Sequence, residues 1–201
     1  MKIKDVILSK SYTGFYFDDQ KAIKAGAGHD GFMYIGEPMT EKFSKVRQTG
    51  EAISIQLVLE DGSVGYGDCA AVQYSGAGGR DPLFLASEFI PFIQEHIVPL
   101  LIGEDVSSFR ALAEKYDNLE INGKRLHTAI RYGLTQALLN ACAVANKVTM
   151  AEVIRKDYGI NDDHYDAIPV FTQSGDDRYI NVDKMIIKTA DVLPHALINN
   201  V

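Results

Sequence analysis

Over residues 52–60 the chain alternates, with Ile53, Ile55, Leu57 and Leu59 apolar and Ser54, Gln56 and Glu60 polar. A period of two predicts a half-buried strand, and Asp61-Gly62 supplies hairpin chemistry before a second strand from Val64 to about Cys69. Residues 2–9 read as a third strand able to join the pair in an antiparallel sheet. The second strand runs into Ala70, Ala71, Val72, Gln73, Tyr74 and Ser75, then four small residues and Arg80. A polar, glycine-rich loop at the end of a sheet is a common way to present groups to a ligand. Between residues 10 and 36 the alternation lapses. Five glycines (14, 26, 28, 31 and 36) lie among Tyr12, Phe15, Tyr16, Phe17, Phe32 and Tyr34. An irregular stretch of that length is expected to be a functional lid, because a disordered linker would be poor in aromatic rings.

The period then changes. Asp81-Pro82 predicts a helix start, with Leu83, Phe84, Ile90, Ile93 and Ile97 on its apolar face and Pro91 expected to kink or interrupt it. Ser107 or Ser108 is expected to cap a short helix reaching Tyr116, and Asn122-Gly123 marks a turn. The strongest helical spacing is Ile130, Leu134, Ala137, Leu138, Ala141 and Ala145, whose alanines allow close approach to a neighbouring layer. Thr149 to Glu152 forms a capping box for a helix ending near Tyr158-Gly159. These elements predict an α+β domain over residues 1–160, a three-stranded antiparallel sheet plus helices.

After a polar linker, residues 167–173 read as a strand, 179–188 as a helix and 192–197 as a strand. Two parallel strands make no stable sheet alone, since parallel sheets are buried on both faces. Residues 161–201 are therefore expected to be the start of a truncated C-terminal domain, with further residues or a partner completing it.

The net charge of −7, with no Lys/Arg cluster, argues against a nucleic-acid or anionic-membrane partner and for a small molecule. No apolar run approaches the roughly 20 residues of a membrane span, and a cytoplasmic protein is expected. Cys69 and Cys142 sit in apolar contexts and read as buried free thiols. Gly26, Gly28 and Gly31 satisfy a GxGxxG pattern, but neither a buried strand before nor a helix after supports dinucleotide binding; they read as loop glycines. Residues 75–80 lack the Lys-Ser/Thr pair of a phosphate-binding loop. Asp162, Asp163, His164 and Asp166 read as solvated linker charges rather than metal ligands.

The segments LVLEDGSVGYGDCA and TAIRYGLTQALLNACAVANKVTMAEVI resemble the capping domain of the enolase superfamily. The blocks GFYFDDQKAIKAGAGHDGF, GDCAAVQYSGAGGRDPLF, NGKRLHTAIRYG, FTQSGDDRY and NVDKMIIKTADVLPHALINN are similar to the methylaspartate ammonia-lyase family. The resemblance spans essentially the whole chain. It implies a capping domain followed by the first strand-helix-strand of an incomplete (β/α)8 TIM-like barrel. It also implies elimination of ammonia from 3-methylaspartate to give mesaconate, with Mg2+ and K+ as cofactors. A base removes the proton on carbon 3, a proton too weakly acidic to leave unless a metal and hydrogen-bond donors carry the developing charge.

By the same resemblance His195 is the base for one carbon-3 epimer and a partner of the reacting carboxylate for the other. Gln173 hydrogen-bonds a substrate carboxylate, Gln73 reaches the amino end, and Phe171 lines the pocket near the methyl group. The magnesium ligands and a lysine base are expected beyond residue 201, so this chain alone is expected to be inactive and the complete protein to be a homodimer. Two other readings stand beside it. One is a noncatalytic capping or binding module that docks on another barrel. The other is an epimerase or dehydratase of the same superfamily acting on another carboxylate.

Overall fold

In chain order the described elements are β1 (Ile3–Asp18), α1 (Gln20–Lys24), β2 (Gly28–Asp30), β3 (Met33–Ile35), β4 (Arg47–Leu59), β5 (Val64–Ala70) and α2 (Ala86–His96). They continue with α3 (Val98–Leu101), α4 (Arg110–Asp117), β6 (Glu120–Ile121), β7 (Lys124–Arg125), α5 (Thr128–Asn146), α6 (Met150–Asp157) and α7 (Arg178–Ile187). This computed structural model describes residues 1–71, 81–161, 166–172 and 178–192. Clustering of its contacts separates Met1–Asn161 from Asp162–Val201.

In the first unit β1, β4 and β5 form an antiparallel sheet in that order. The alternation of residues 52–60 has the expected outcome: Ile53, Ile55, Leu57 and Leu59 are all buried on one face. Burying each such side chain contributes about 1.5–3 kcal/mol. Asp61-Gly62 makes the hairpin, with Gly62 at φ 85° and the Asp61 carboxylate accepting from Ser63 N–H.

α5 closes over the buried face, and its small residues decide how closely. A Cβ added at Gly67 would lie 2.1 Å from the Gly133 carbonyl oxygen, and one at Gly65 would lie 2.6 Å from Ala141 Cβ. One at Gly133 would lie 2.4 Å from Cys69 N. Helix backbone thus rests on strand backbone. The same contact finishes the sheet edge: Asn140 Oδ1 accepts from Tyr66 N–H at 2.9 Å and Gln136 Oε1 from Asp68 N–H at 3.0 Å. These side chains occupy donors of β5 that no further strand among the described residues takes up. Ile130, Leu134 and Leu138 of α5 join Ile93, Ile97, Leu101 and Tyr116 in the core. Cys69 and Cys142 are buried free thiols, and burial pushes each up to about 12.

Three expectations are corrected. The irregular stretch of residues 10–36 is largely paired backbone, for β1 continues to Asp18 opposite Arg47, with an irregularity between Tyr12 and Tyr16. That irregularity shifts the side-chain alternation, so the period lapses while the pairing resumes. Residues 28–35 form the β2–β3 hairpin. The helix expected at Asp81-Pro82 begins only at Ala86, because Asp81 is used to cap α5: its carboxylate accepts from Thr128 N–H at 2.9 Å. α2 then runs through Pro91 without interruption. The third concerns Ser107 and Ser108, neither of which is the cap of α4. Asp157, at the end of α6, accepts from the N–H groups of Phe109 and Arg110 and from the Ser108 hydroxyl.

Other local readings hold. Asn122 and Gly123, at φ 53° and 71°, join β6 to β7, as a tight hairpin turn requires. Thr149 and Glu152 make the capping box of α6, and Gly159 follows that helix at φ 66°.

In the second unit α7 lies between two segments that meet in a parallel bridge, Phe171 to Val192. Val192 N–H donates to the Val170 carbonyl, and Asp191 accepts from Val170 N–H. The described residues thus show a helix between two segments joined by one parallel bridge. The described part of the first expected strand shows only that bridge, and residues 193–197 of the second lie outside the described residues.

The α5–β5 contact makes a direct prediction. Gly67→Ala should lower unfolding stability by about 3 kcal/mol, since neither backbone can yield. Gly14→Ala, with open space around its Cβ, should change it by less than about 1 kcal/mol. Urea denaturation of the two variants checks this, and equal midpoints would contradict the packing.

Candidate functional site

Of the four residues singled out for chemistry, Gln73, Gln173 and His195 lie outside the described residues. Phe171 is described: it makes the parallel bridge with Val192 and is about half exposed. The structure therefore supplies the framework around these positions.

The stretch that contains Gln73 leaves the end of β5 at Ala71 and returns at Asp81. The returning segment is bound to the first turn of α5 by two side chains. Asp81 accepts from Thr128 N–H, as above. His127, the N-cap residue of α5, accepts from Ala129 N–H through Nδ1 at 3.0 Å, and its Nε2 lies 3.0 Å from the Pro82 carbonyl oxygen. Only a ring protonated at Nε2 satisfies both contacts, because Nδ1 must keep its lone pair. Leu83 and Phe84 are buried directly after this tie, and the rings of Phe84 and Phe89 pack on the imidazole at 5.0 and 5.2 Å. Burial lowers the His127 pKa, outweighing the Pro82 contact and the Asp81 charge. Asp81 itself is held below the ordinary carboxylate value: burial pushes it up, but the bonds from Thr128 and the nearby His127 and Arg131 outweigh that.

At the same end of the sheet, beyond the Ala52–Ala70 pair, the aromatic set gathers around one cation. Arg47 pairs with Asp18 through two bonds, Nε–Oδ1 at 2.7 Å and Nη2–Oδ2 at 2.9 Å. Its Nη1 donates to the Phe32 carbonyl, and its guanidinium carbon lies 3.7 Å from the Tyr16 ring centre, 4.7 Å from Phe32 and 4.6 Å from Tyr34. The next residue, Asp19, is fully buried and accepts from Lys21, Ala22, Met39 and Thr40 N–H groups and from the Thr40 hydroxyl. Those bonds outweigh the burial that would raise its pKa, which is lowered.

A groove of about 470 Å³ opens beside Arg47, lined by Tyr12, Tyr16, Phe32, Lys45, Gln48 and Glu51 among others. Nε, Nη1 and Nη2 of Arg47 each make one of these bonds, so the guanidinium organises the flap formed by the end of β1 and the β2–β3 hairpin while itself bordering the groove. Sequence reading picked out the aromatic rings but not the Asp18–Arg47 pair that collects them, since the partners are 29 residues apart. It likewise passed over His127, whose only local signal is its place before the helical period of α5.

Among the described residues no group of three or more His, Cys, Asp or Glu side chains could hold a metal. No single described helix is long and apolar enough to cross a membrane.

Two family models match in tandem. Residues 1–159 match that of the methylaspartate ammonia-lyase N-terminus and residues 164–201 that of its C-terminus. The chain belongs to the methylaspartate ammonia-lyase family. It is 66% identical over 201 residues to methylaspartate ammonia-lyase of Clostridium tetanomorphum, and 61% identical to that of Citrobacter amalonaticus. In both comparisons all of this chain matches 48% of the relative, so it spans about half the length of the curated relatives. The solved β-methylaspartase of C. tetanomorphum, a magnesium complex, superposes with a TM-score of 0.90 at 66% identity, covering 100% of this chain and 48% of that one. Muconate lactonizing enzyme of Pseudomonas putida superposes with a TM-score of 0.53 at 17% identity, over 93% of this chain and 41% of that one. At that identity it shows the fold alone.

The flap yields its own prediction. Asp19→Ala leaves five hydrogen bonds without their acceptor and should cost about 3 kcal/mol. Because the folded pKa of Asp19 is lowered, its contribution is complete above the unfolded carboxylate value of about 3.9 and is lost as pH falls through the folded value. Urea midpoints from pH 7 to pH 2 check both points: the gap between wild type and variant should narrow on acidification.

Proposed function

We propose that this chain carries the capping and barrel-entry parts of a carbon–nitrogen lyase that eliminates ammonia from 3-methylaspartate to give mesaconate. The observation that carries this reading is the 66% identity to a methylaspartate ammonia-lyase over all 201 residues. The solved C. amalonaticus relative contains (2S,3S)-3-methylaspartic acid, which supports the substrate. In the proposed reaction a base takes the proton from carbon 3, the electron pair left behind forms the carbon 2–carbon 3 double bond, and the carbon–nitrogen bond breaks with its pair going to nitrogen.

His195 is proposed as the base for one carbon-3 epimer and as a partner of the reacting carboxylate for the other. The amide of Gln173 donates to a substrate carboxylate, where fixed donors stabilise charge that develops in the transition state. Gln73 holds the amino end, and Phe171 borders the methyl group. The described residues offer no ligand set for magnesium. By the family resemblance the ion's carboxylate ligands and a lysine base are assigned to the part of the family sequence that this chain does not span, and K+ is proposed as the monovalent activator. The parallel Phe171–Val192 bridge supports residues 161–201 as the barrel-entry domain, after a capping domain of residues 1–160. The complete protein is proposed to be a cytoplasmic homodimer acting on a small amino acid.

The test is mesaconate formation, followed by ultraviolet absorbance with 3-methylaspartate, magnesium and potassium. This chain alone should be silent, whereas the chain joined to the C-terminal half of the C. tetanomorphum relative should be active. In the joined protein His195→Ala should slow one epimer by roughly 10²–10⁴-fold, the range of general-base catalysis, and the other much less. A folded joined protein silent on both epimers overturns the assignment.

A further inference from the structure

We propose that His127 and Asp81 form a proton-operated latch between residues 81–84 and the N-terminus of α5. The two nitrogens of the imidazole have opposite roles. In the neutral ring Nδ1 accepts from Ala129 N–H, and Nε2–H donates to the Pro82 carbonyl. A proton taken from solvent can bind only at Nδ1, the nitrogen with the free pair. Once protonated there, the ring cannot accept, so the cap on α5 is lost and two N–H groups point at each other. The new N–H has an acceptor within reach, for Asp81 Oδ2 lies 3.8 Å from Nδ1. That oxygen is the one that accepts from Thr128 N–H at 2.9 Å. Protonation therefore removes the His127 cap from Ala129 and adds a His127–Asp81 ion pair at the oxygen that holds Thr128, and residues 81–84 shift against the first turn of the helix.

Burial favours the neutral arrangement, against the Pro82 contact and the Asp81 charge. The α2 side and its lead-in present the uncharged rings of Phe89 and Phe84. The charged group facing His127 is Asp81, which is influenced in turn by Arg131 of α5. Arg131 is itself committed to Asp117 at 2.7 Å. The linkage has a definite sign. Since folding holds His127 neutral, the unfolded chain takes up a proton first as pH falls through about 6.5. The contribution of His127 to stability is complete above that value and is lost as pH falls through the folded value.

The test uses the chain as it stands and needs no activity, so its failure is separate from failure of the lyase assignment. Nitrogen-15 and proton spectra of histidine-labelled protein, assigned with His127→Asn, report the tautomer and midpoint of the ring; amide spectra report Thr128 and Ala129. At pH 8 the ring should be the Nε2–H tautomer. On acidification the two amides should move with the midpoint of His127, below 6.5, and the protection of Ala129 against hydrogen exchange should fall about fivefold, the size of a lost N-cap. In Asp81→Asn the midpoint should fall further, because the protonated ring loses the negative charge beside it. An Nδ1–H tautomer at pH 8, or Thr128 and Ala129 amides that stay still while His127 titrates, overturns the proposal. If either variant fails to fold, the wild-type titration, with the ring identified through its contacts to Phe84 and Phe89, still decides.

Discussion

The approach of α5 to β5 is the constraint on which the first unit depends. Helix and strand can lie backbone against backbone only where neither carries a side chain in the way, which places Gly65 and Gly67 opposite Gly133, Ala137 and Ala141. Glycine is a poor residue in both helices and strands on entropic grounds, so its use at these positions is a packing choice. The short distance has a second effect. It brings Gln136 and Asn140 within hydrogen-bond reach of β5, so the same helix that fills the core also satisfies the sheet edge. Close packing and edge protection are one arrangement.

A second theme is capping across the chain. α5 receives Asp81 from 47 residues away, and α4 receives Asp157 from 47 and 48 residues away. Each carboxylate ties a segment that approaches or leaves the core to the positive end of a helix, where N–H groups lack intrahelical partners. The helix ends thereby fix the paths of the connections.

This explains which parts of the fold could be read from the residues. The strands of the β4–β5 hairpin, the helical period of α5 and the capping box of α6 announce themselves because their signals are local. The Asp81-Pro82 pair was legible as a cap but not as the cap of another helix, since nothing nearby in the chain names the partner. The extension of β1 to Asp18 was hidden for a related reason: an irregularity after Tyr12 resets the alternation, while the pairing that defines the strand is made with residues 47–51. The candidate site was legible only through family resemblance. A histidine or glutamine at a strand end carries no pattern of its own, and Gln73, Gln173 and His195 lie outside the described residues. Phe171 alone can be located, beside the parallel bridge.

The flap shows how a polar cluster can replace a hydrophobic core where the sheet runs past its helices. Beyond Tyr12 the rings of Phe15 and Phe32 stay largely exposed, too little burial to hold a hairpin by itself. Asp18 and Arg47 instead sit opposite each other in register and join by a two-bond pair. Desolvating such a pair is costly unless the remaining donors are also met. Here the third guanidinium nitrogen donates to the Phe32 carbonyl, and aromatic faces stack on the cation. Asp19 then gathers the loop around Met39 and Thr40. The aromatic residues are thus fixed around a cation held by Asp18, beside an open groove that Arg47 itself borders.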